Sequence, residues 1–174
     1  MFGTLDNSLF YLINKDFSNR LFDVIMPLLT LLGGREVLLA VSIIILCFGK
    51  KEIRKFGILL FFGLIVSFGI VYILKIWIAR ARPFLVLAHV HLLMKEGGYS
   101  FPSGHATNIF MTVSLLTVHF KKFYYFYILA FGVALSRIYV GVHFPSDVIA
   151  GALIGVIIGI SLSKIKNKGI TETR

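Results

Sequence analysis

Long apolar runs separated by short charged clusters set the layout of this chain. The runs at about 20–33, 36–49, 56–79, 105–120, 123–142 and 146–163 predict six membrane-crossing helices. The run FGILLFFGLIVSFGIVYILKIWIA is the clearest of them, and the first, which holds Asp23 and Pro27, is the weakest. Ahead of it, residues 4–19 place Leu5, Leu9, Leu12 and Ile13 near one helical face, with Asp6 and Lys15 off it. That pattern predicts an interfacial helix lying along the bilayer surface. The expected fold is all-α: an integral membrane bundle of six transmembrane helices with an N-terminal interfacial helix, one domain over residues 1–174. The longest connection, about 84–101, is apolar through Phe84, Leu85, Val86, Leu87, Leu92, Leu93 and Met94, so it is expected to lie at the bilayer surface.

Composition supports lipid as the solvent. The chain is 57% hydrophobic and only 15% charged, where soluble domains carry about 25% charged residues. The first twenty residues lack a basic start followed by an uninterrupted apolar stretch, so no cleavable signal peptide is expected. The single Cys47 rules out a disulfide within the chain and reads as a packing residue.

The net charge of +10 does not indicate nucleic acid, because the basic residues flank apolar runs in clusters. Lys50, Lys51, Arg54 and Lys55 follow the second run, Lys121 and Lys122 the fourth, and Lys164, Lys166, Lys168 and Arg174 the sixth. With six crossings all of these, and both termini, fall on one face, which the positive-inside rule makes cytoplasmic. Arg35, Arg80 and Lys95 fall on the opposite face, which is periplasmic or otherwise extracytoplasmic.

Three short blocks also fall on that face: Lys75 with Arg82-Pro83; Pro102-Ser103-Gly104-His105; and Ser136-Arg137 followed by His143 and Asp147. Phosphoryl transfer rests mainly on positioning and on stabilising negative charge on oxygen. Arginine suits this because its planar fork is always charged and grips phosphate through two donors, so Arg82 and Arg137 are candidate phosphate ligands with Lys75 as a third cation. Lys75 and Arg82 are about two helical turns apart and are expected to share a face, with the helix ending at Arg82 because Pro83 follows. Ser103 is a good N-cap, and Gly104 allows close backbone approach at a helix start, where free N–H groups bind anions.

His105 would be held beside the phosphate as general acid. His143 and Asp147 are four apart, neighbours on one helical face if the last helix starts near Pro145. A carboxylate on one imidazole nitrogen fixes the tautomer and leaves the other free to attack, giving a phosphohistidine that water hydrolyses. Three cations supply the charge a metal would bring, so no metal and no cofactor are required. Arg80 and Lys95 are candidate head-group contacts, His89 and His91 are lesser ones, and His119 reads as structural. Gly151, Gly155 and Gly159, spaced by four, allow a close helix neighbour, within the chain or in a dimer.

The three blocks resemble the signature of the type-2 phosphatidic acid phosphatase superfamily at every position, from Lys75 to Asp147. The resemblance implies a metal-free six-helix membrane enzyme, with His143 as nucleophile supported by Asp147, His105 as acid, and Lys75, Arg82, Ser103, Gly104 and Arg137 on phosphate. It also implies a substrate presented by the bilayer, a phospholipid or glycolipid phosphate. In size the chain is similar to bacterial lipid A 1-phosphatases, phosphatidylglycerophosphate phosphatases and undecaprenyl pyrophosphate phosphatases. The first choice is removal of the 1-phosphate of lipid A, because cations beyond the motif suit a polyanionic head group; the other two are the alternatives. Outside enzymes, a small lipid or ion transporter would also place charge at membrane depth, but it needs no His–Asp pair beside arginines.

Overall fold

The structure is a computed structural model; it describes residues 3–171, with side chains through Lys164. Lys166, Lys168 and Arg174, counted above among the cytoplasmic charges, lie outside the described side chains. The helices are α1 (Thr4–Tyr11), α2 (Arg20–Thr30), α3 (Arg35–Phe48), α4 (Lys51–Ile78), α5 (Pro83–Val86), α6 (Gly104–Phe120), α7 (Phe126–Tyr139) and α8 (Pro145–Thr171). No strand occurs among the described residues.

α1 continues through a π-turn at Leu12–Asp16. It turns its polar stripe inward: Asp6, Phe10 and Asn14, each four apart, are buried, while Leu5, Leu9 and Leu12 are exposed. Lipid, not protein, is the apolar phase for this helix, so the leucines face out and the carboxylate faces the bundle.

The first predicted crossing is too short to span a bilayer alone. α2 is capped by Asn19, whose Oδ1 accepts from the Phe22 amide at 3.0 Å. It has 11 residues, about 16 Å of helix, against the ~30 Å of a bilayer core. Both of its ends meet the last turn of α7. Tyr139 Oη donates to Asp23 at 2.7 Å, and Arg137 donates to Thr30 at 2.8 Å.

α2 and α3 instead make one leg bent by 50°. The legs among the described residues are α2 with α3, then α4, α6, α7 and α8, which is five rather than six. An odd number places α1 and the far end of α8 at opposite ends of the bundle. The cause is local. Asp23 and Pro27 interrupt the run, and Asn14, Asp23 and Thr30 all find polar partners at the same end.

By length and composition two helical segments can cross a membrane alone, Lys51–Val86 and Pro145–Lys164, and the bent leg makes a third. The lysine clusters gather at the other end, where His119 lies 3.2 Å from the Glu52 carbonyl and packs its ring on Phe120 and Phe56. His119 is thus structural, as read. Cys47 is exposed on α3, so it does not pack inside the protein.

The core joins α4, α6 and α8 through Leu60, Leu64, Met111, Leu115 and Ile158. The glycine stripe of α8 lies against α6: a Cβ at Gly151, Gly155 or Gly159 would stand 2.5, 2.3 or 2.6 Å from the carbonyl oxygens of Ser103, Thr107 and Met111. The close approach is therefore intramolecular, and it seats the start of α6 against the start of α8.

Candidate active site

The three sequence blocks meet at the end of the bundle where α4 and α7 finish and α6 and α8 begin. α4 stops at Ile78, with Ala79 left-handed at φ +48°, earlier than the proline alone suggested. Lys75 and Arg82 therefore meet through a turn and not along one helical face. Lys75 Nζ donates to the carbonyls of Tyr99 and Ser100. Arg82 lies extended just before Pro83, which starts α5, and it is 1% exposed.

Ser103 occupies the N-cap position of α6, but its side chain caps nothing. Its backbone N–H instead donates to the Asp147 carbonyl at 3.0 Å, tying the second block to the third. Arg137 sits in the last turn of α7. Gly141, at φ +90°, turns the chain toward His143, whose amide donates to the Arg137 carbonyl at 3.2 Å.

Pro145 is the first residue of α8, as expected, and Asp147 lies in its first turn. Asp147 Oδ2 accepts from the Phe144 amide at 2.9 Å and from Ser100 Oγ at 2.5 Å, and lies 3.5 Å from His143 Nδ1. The other ring nitrogen, Nε2, lies 3.5 Å from Arg82 Nη1. A guanidinium only donates, so the Arg82 contact favours the tautomer with its ring proton on Nδ1, toward Asp147. Burial pushes the buried His143 imidazole well below the usual histidine range, and Arg137 and Arg82 act in the same direction.

Arg80 is not free for a head group. Its guanidinium pairs with Asp147 at 2.5 Å and with Asp6 at 2.6 Å, and covers the Phe144 ring. Lys95 is exposed beside the site. His91 pairs with Asp23 at 2.9 Å, while His89 is exposed at φ +54°.

One residue at the centre was not picked out from the sequence. Glu96 Oε2 accepts from Arg82 Nη1 at 3.0 Å and from Arg137 Nη2, and lies 3.7 Å from His143 Nε2. Burial alone would raise its pKa, but the permanent cations, Arg137 and then Arg82, outweigh that and hold it at about 2. A lone acid followed by Gly97-Gly98 in a loop facing three cations was the available signal.

Two buried side-chain polar atoms among the described residues lack a partner: Ser103 Oγ and Arg137 Nε. Both belong to the expected phosphate set, and both are donors that a phosphoryl oxygen could use. A cavity of about 240 Å³ opens beside them, lined by Lys75, Glu96, Gly104 and His105 and, toward the lipid-facing side of α4, by Phe68 and Tyr72. Arg35, over the Phe68 ring at 4.9 Å, stands at its edge.

Arg82, Arg137, Lys75, Ser103 and the His143–Asp147 pair thus gather at one end of the bundle. The chain belongs to the PAP2 superfamily, whose profile matches residues 56–170, and it is a phosphatase of lipid phosphate esters. It is 36% identical over 148 residues to an undecaprenyl-diphosphatase of Sulfolobus acidocaldarius, covering 83% of this chain and 71% of that one. The crystal structure of Aquifex aeolicus LpxE superposes with a TM-score of 0.82 at 34% identity, covering 93% of this chain and 96% of that one. The structure of the PAP2-type phosphatidylglycerolphosphate phosphatase of Bacillus subtilis superposes at 0.77 with 25% identity, covering 95% and 88%.

Proposed function

We propose that the protein hydrolyses a lipid phosphate through a phosphohistidine on His143. Arg82, Arg137, Lys75, Ser103 and the amide end of α6 at Gly104 hold the phosphoryl oxygens. Asp147 holds the Nδ1 proton, Nε2 attacks phosphorus, and His105 protonates the departing lipid oxygen. Water, deprotonated by His105, then releases phosphate. The observation that carries this reading is the pair of buried atoms without partners, Ser103 Oγ and Arg137 Nε, at the end of the bundle that also holds the His143–Asp147 pair.

The membrane arrangement that follows has five crossings, with the site and the N-terminus periplasmic and the C-terminus cytoplasmic. The lysine clusters at Lys50–Lys55 and Lys121–Lys122, at the end away from the site, support it. The cavity mouth at Phe68 and Tyr72 opens toward lipid and gives a head group a lateral way in.

Among lipids, lipid A 1-phosphate is the first choice. Arg35 and Lys95 stand beyond the cradle, which suits a head group with more charge than one phosphate. Undecaprenyl pyrophosphate is a second reading, favoured by the Sulfolobus relative and suited by the same cations. The test is phosphate release by purified protein with chelator present, from lipid A, undecaprenyl pyrophosphate and phosphatidylglycerophosphate in parallel, beside His143→Ala. Release lost in the variant carries the mechanism, and the order of rates chooses the lipid. Undiminished release by His143→Ala would end the phosphohistidine route.

A further inference from the structure

The Glu96 carboxylate lies where the transferred phosphoryl group has to go. It bridges Arg82 and Arg137 in front of the nitrogen assigned as nucleophile. Its neighbours complete the occupation: the Gly97 carbonyl accepts from Arg82 Nη2 at 2.8 Å, and the Gly98 carbonyl from Arg82 Nε at 3.0 Å. Each nitrogen of Arg82 is thus engaged by the Glu96–Gly98 segment. A phosphate that takes the Arg82 fork in full has to displace that segment.

The occupation is incomplete, and its gap has a shape. A carboxylate brings two oxygens. Those oxygens leave Arg137 Nε and Ser103 Oγ without partners, both buried. A terminal phosphate offers three free oxygens and, near neutral pH, close to two negative charges. A phosphodiester offers two free oxygens and one charge, the same as the carboxylate it would have to replace.

The segment is also built to leave. Gly97 and Gly98 are exposed, a Cβ at either would meet nothing within 4 Å, and Gly98 sits at φ +69°.

We propose that Glu96 is a resident competing anion that sets the charge threshold of the site, yielding to a terminal phosphate or pyrophosphate and refusing the phosphodiesters of bulk membrane lipid. This rests on the cradle being the phosphate site. A membrane enzyme faces phosphodiester lipid in large excess over its substrate, and shape alone cannot exclude a head group that diffuses past the cavity mouth. An internal anion excludes it by matching its charge and oxygen count, at the expense of weaker binding for every ligand.

The test is a binding measurement that does not depend on turnover. Inorganic phosphate is titrated at about pH 7.5 into purified full-length protein, wild type, Glu96→Gln and Glu96→Asp. The titrations are repeated in micelles with and without excess phosphatidylglycerol. Glu96→Gln is expected to bind phosphate about tenfold or more tightly than wild type, because the cradle no longer has to be vacated. Phosphatidylglycerol should displace phosphate from Glu96→Gln and not from wild type, and Glu96→Asp should restore the discrimination. Equal phosphate affinity in wild type and Glu96→Gln, or phosphatidylglycerol competing equally in both, overturns the proposal. Wild type that releases no phosphate from any lipid while Glu96→Gln still binds phosphate more tightly fells the enzymatic reading and supports the resident anion.

Discussion

Arg80 donates to Asp147 at 2.5 Å, so the carboxylate facing His143 is itself held by a cation from behind. The same guanidinium reaches Asp6 of α1 at 2.6 Å, and Asp6 also accepts from the amide and hydroxyl of Ser146. The N-terminal helix is therefore latched to the start of α8, beside the site. Removing the cation in Arg80→Leu leaves two carboxylates facing each other in a buried position. The expected loss of stability is about 3–5 kcal/mol, as for a buried pair deprived of one partner. Turnover should fall with it, chiefly in kcat. Asp6→Asn keeps a hydrogen bond to Ser146 and loses only charge, so it should be milder in both. Thermal unfolding in detergent and steady-state kinetics on the two variants check this order.

Asp147→Asn should slow the reaction by about 100-fold or more, since an amide can stabilise either tautomer and the site needs the proton on Nδ1. Ser100→Ala removes a donor to the same oxygen at 2.5 Å and should cost less. The check is kcat for both, with acid-labile phosphate on the protein trapped in wild type and absent in His143→Ala. A near-normal rate for Asp147→Asn removes Asp147 from its role.

The dependence on pH has a definite sign. The His143 imidazole is held well below the histidine range by burial, then by Arg137 and Arg82, so Nε2 is unprotonated throughout the neutral range. The acid limb of kcat/KM should lie below the ~6.5 of a free histidine. An acid limb at or above that value in a profile from acid to alkaline pH contradicts the burial argument. Stability follows the same direction. The unfolded chain takes up a proton at His143 before the folded one does, so stability begins to fall below about pH 6.5. The Glu96 carboxyl, held at about 2, adds stability that is complete above its unfolded value and lost as pH falls toward 2.

Much of the site was legible because its residues are of chemically rare type for a membrane chain. Cations and histidines cost free energy beside lipid, so Lys75, Arg82, His105, Arg137, His143 and Asp147 stood out from the apolar runs and the fold brings their blocks to one end. Glu96 did not stand out, because an acid in a loop is ordinary until the loop is seen folded over the cradle. Arg80 was misplaced for a related reason: its partner Asp6 is 74 residues away in sequence. The helical runs were read correctly as helices, and α2, too short to cross alone, makes one bent apolar leg with α3. Apolar length measures affinity for lipid, whereas the contacts of Asp23 and Thr30 set the depth of this helix.

The glycine stripe of α8 gives a structural prediction that is independent of chemistry. Gly155→Val places a side chain 2.3 Å from the Thr107 carbonyl and 2.9 Å from the Met111 amide, both backbone atoms that cannot yield alone. The cost should reach or exceed the ~1–3 kcal/mol of an overpacked core, and α6 would move with His105 on it. Gly69→Ala on α4 meets nothing within 4 Å and should be tolerated with normal activity. Folded yield and thermal midpoint for the two variants decide it. Equal behaviour would mean that α6 and α8 are not in contact along this stripe.

Five legs predict opposite locations for the two ends of the chain, and this separates the structure from the six-crossing layout directly. α1 meets the site through Asp6, and α8 runs from the site at Pro145 to the end carrying the lysine clusters. A periplasm-dependent reporter such as a phosphatase fusion should therefore be active at the N-terminus and inactive at the C-terminus, and a cytoplasm-dependent fluorescent reporter should show the reverse. Single cysteines in a Cys47→Ser background give the same answer without a fusion. A cysteine at Lys15, an exposed polar position of the N-terminal segment, should react with an impermeant thiol reagent in intact cells, and one at Lys51 should react only after lysis. Reaction of both only after lysis would restore α2 as a crossing and return both termini to the cytoplasm.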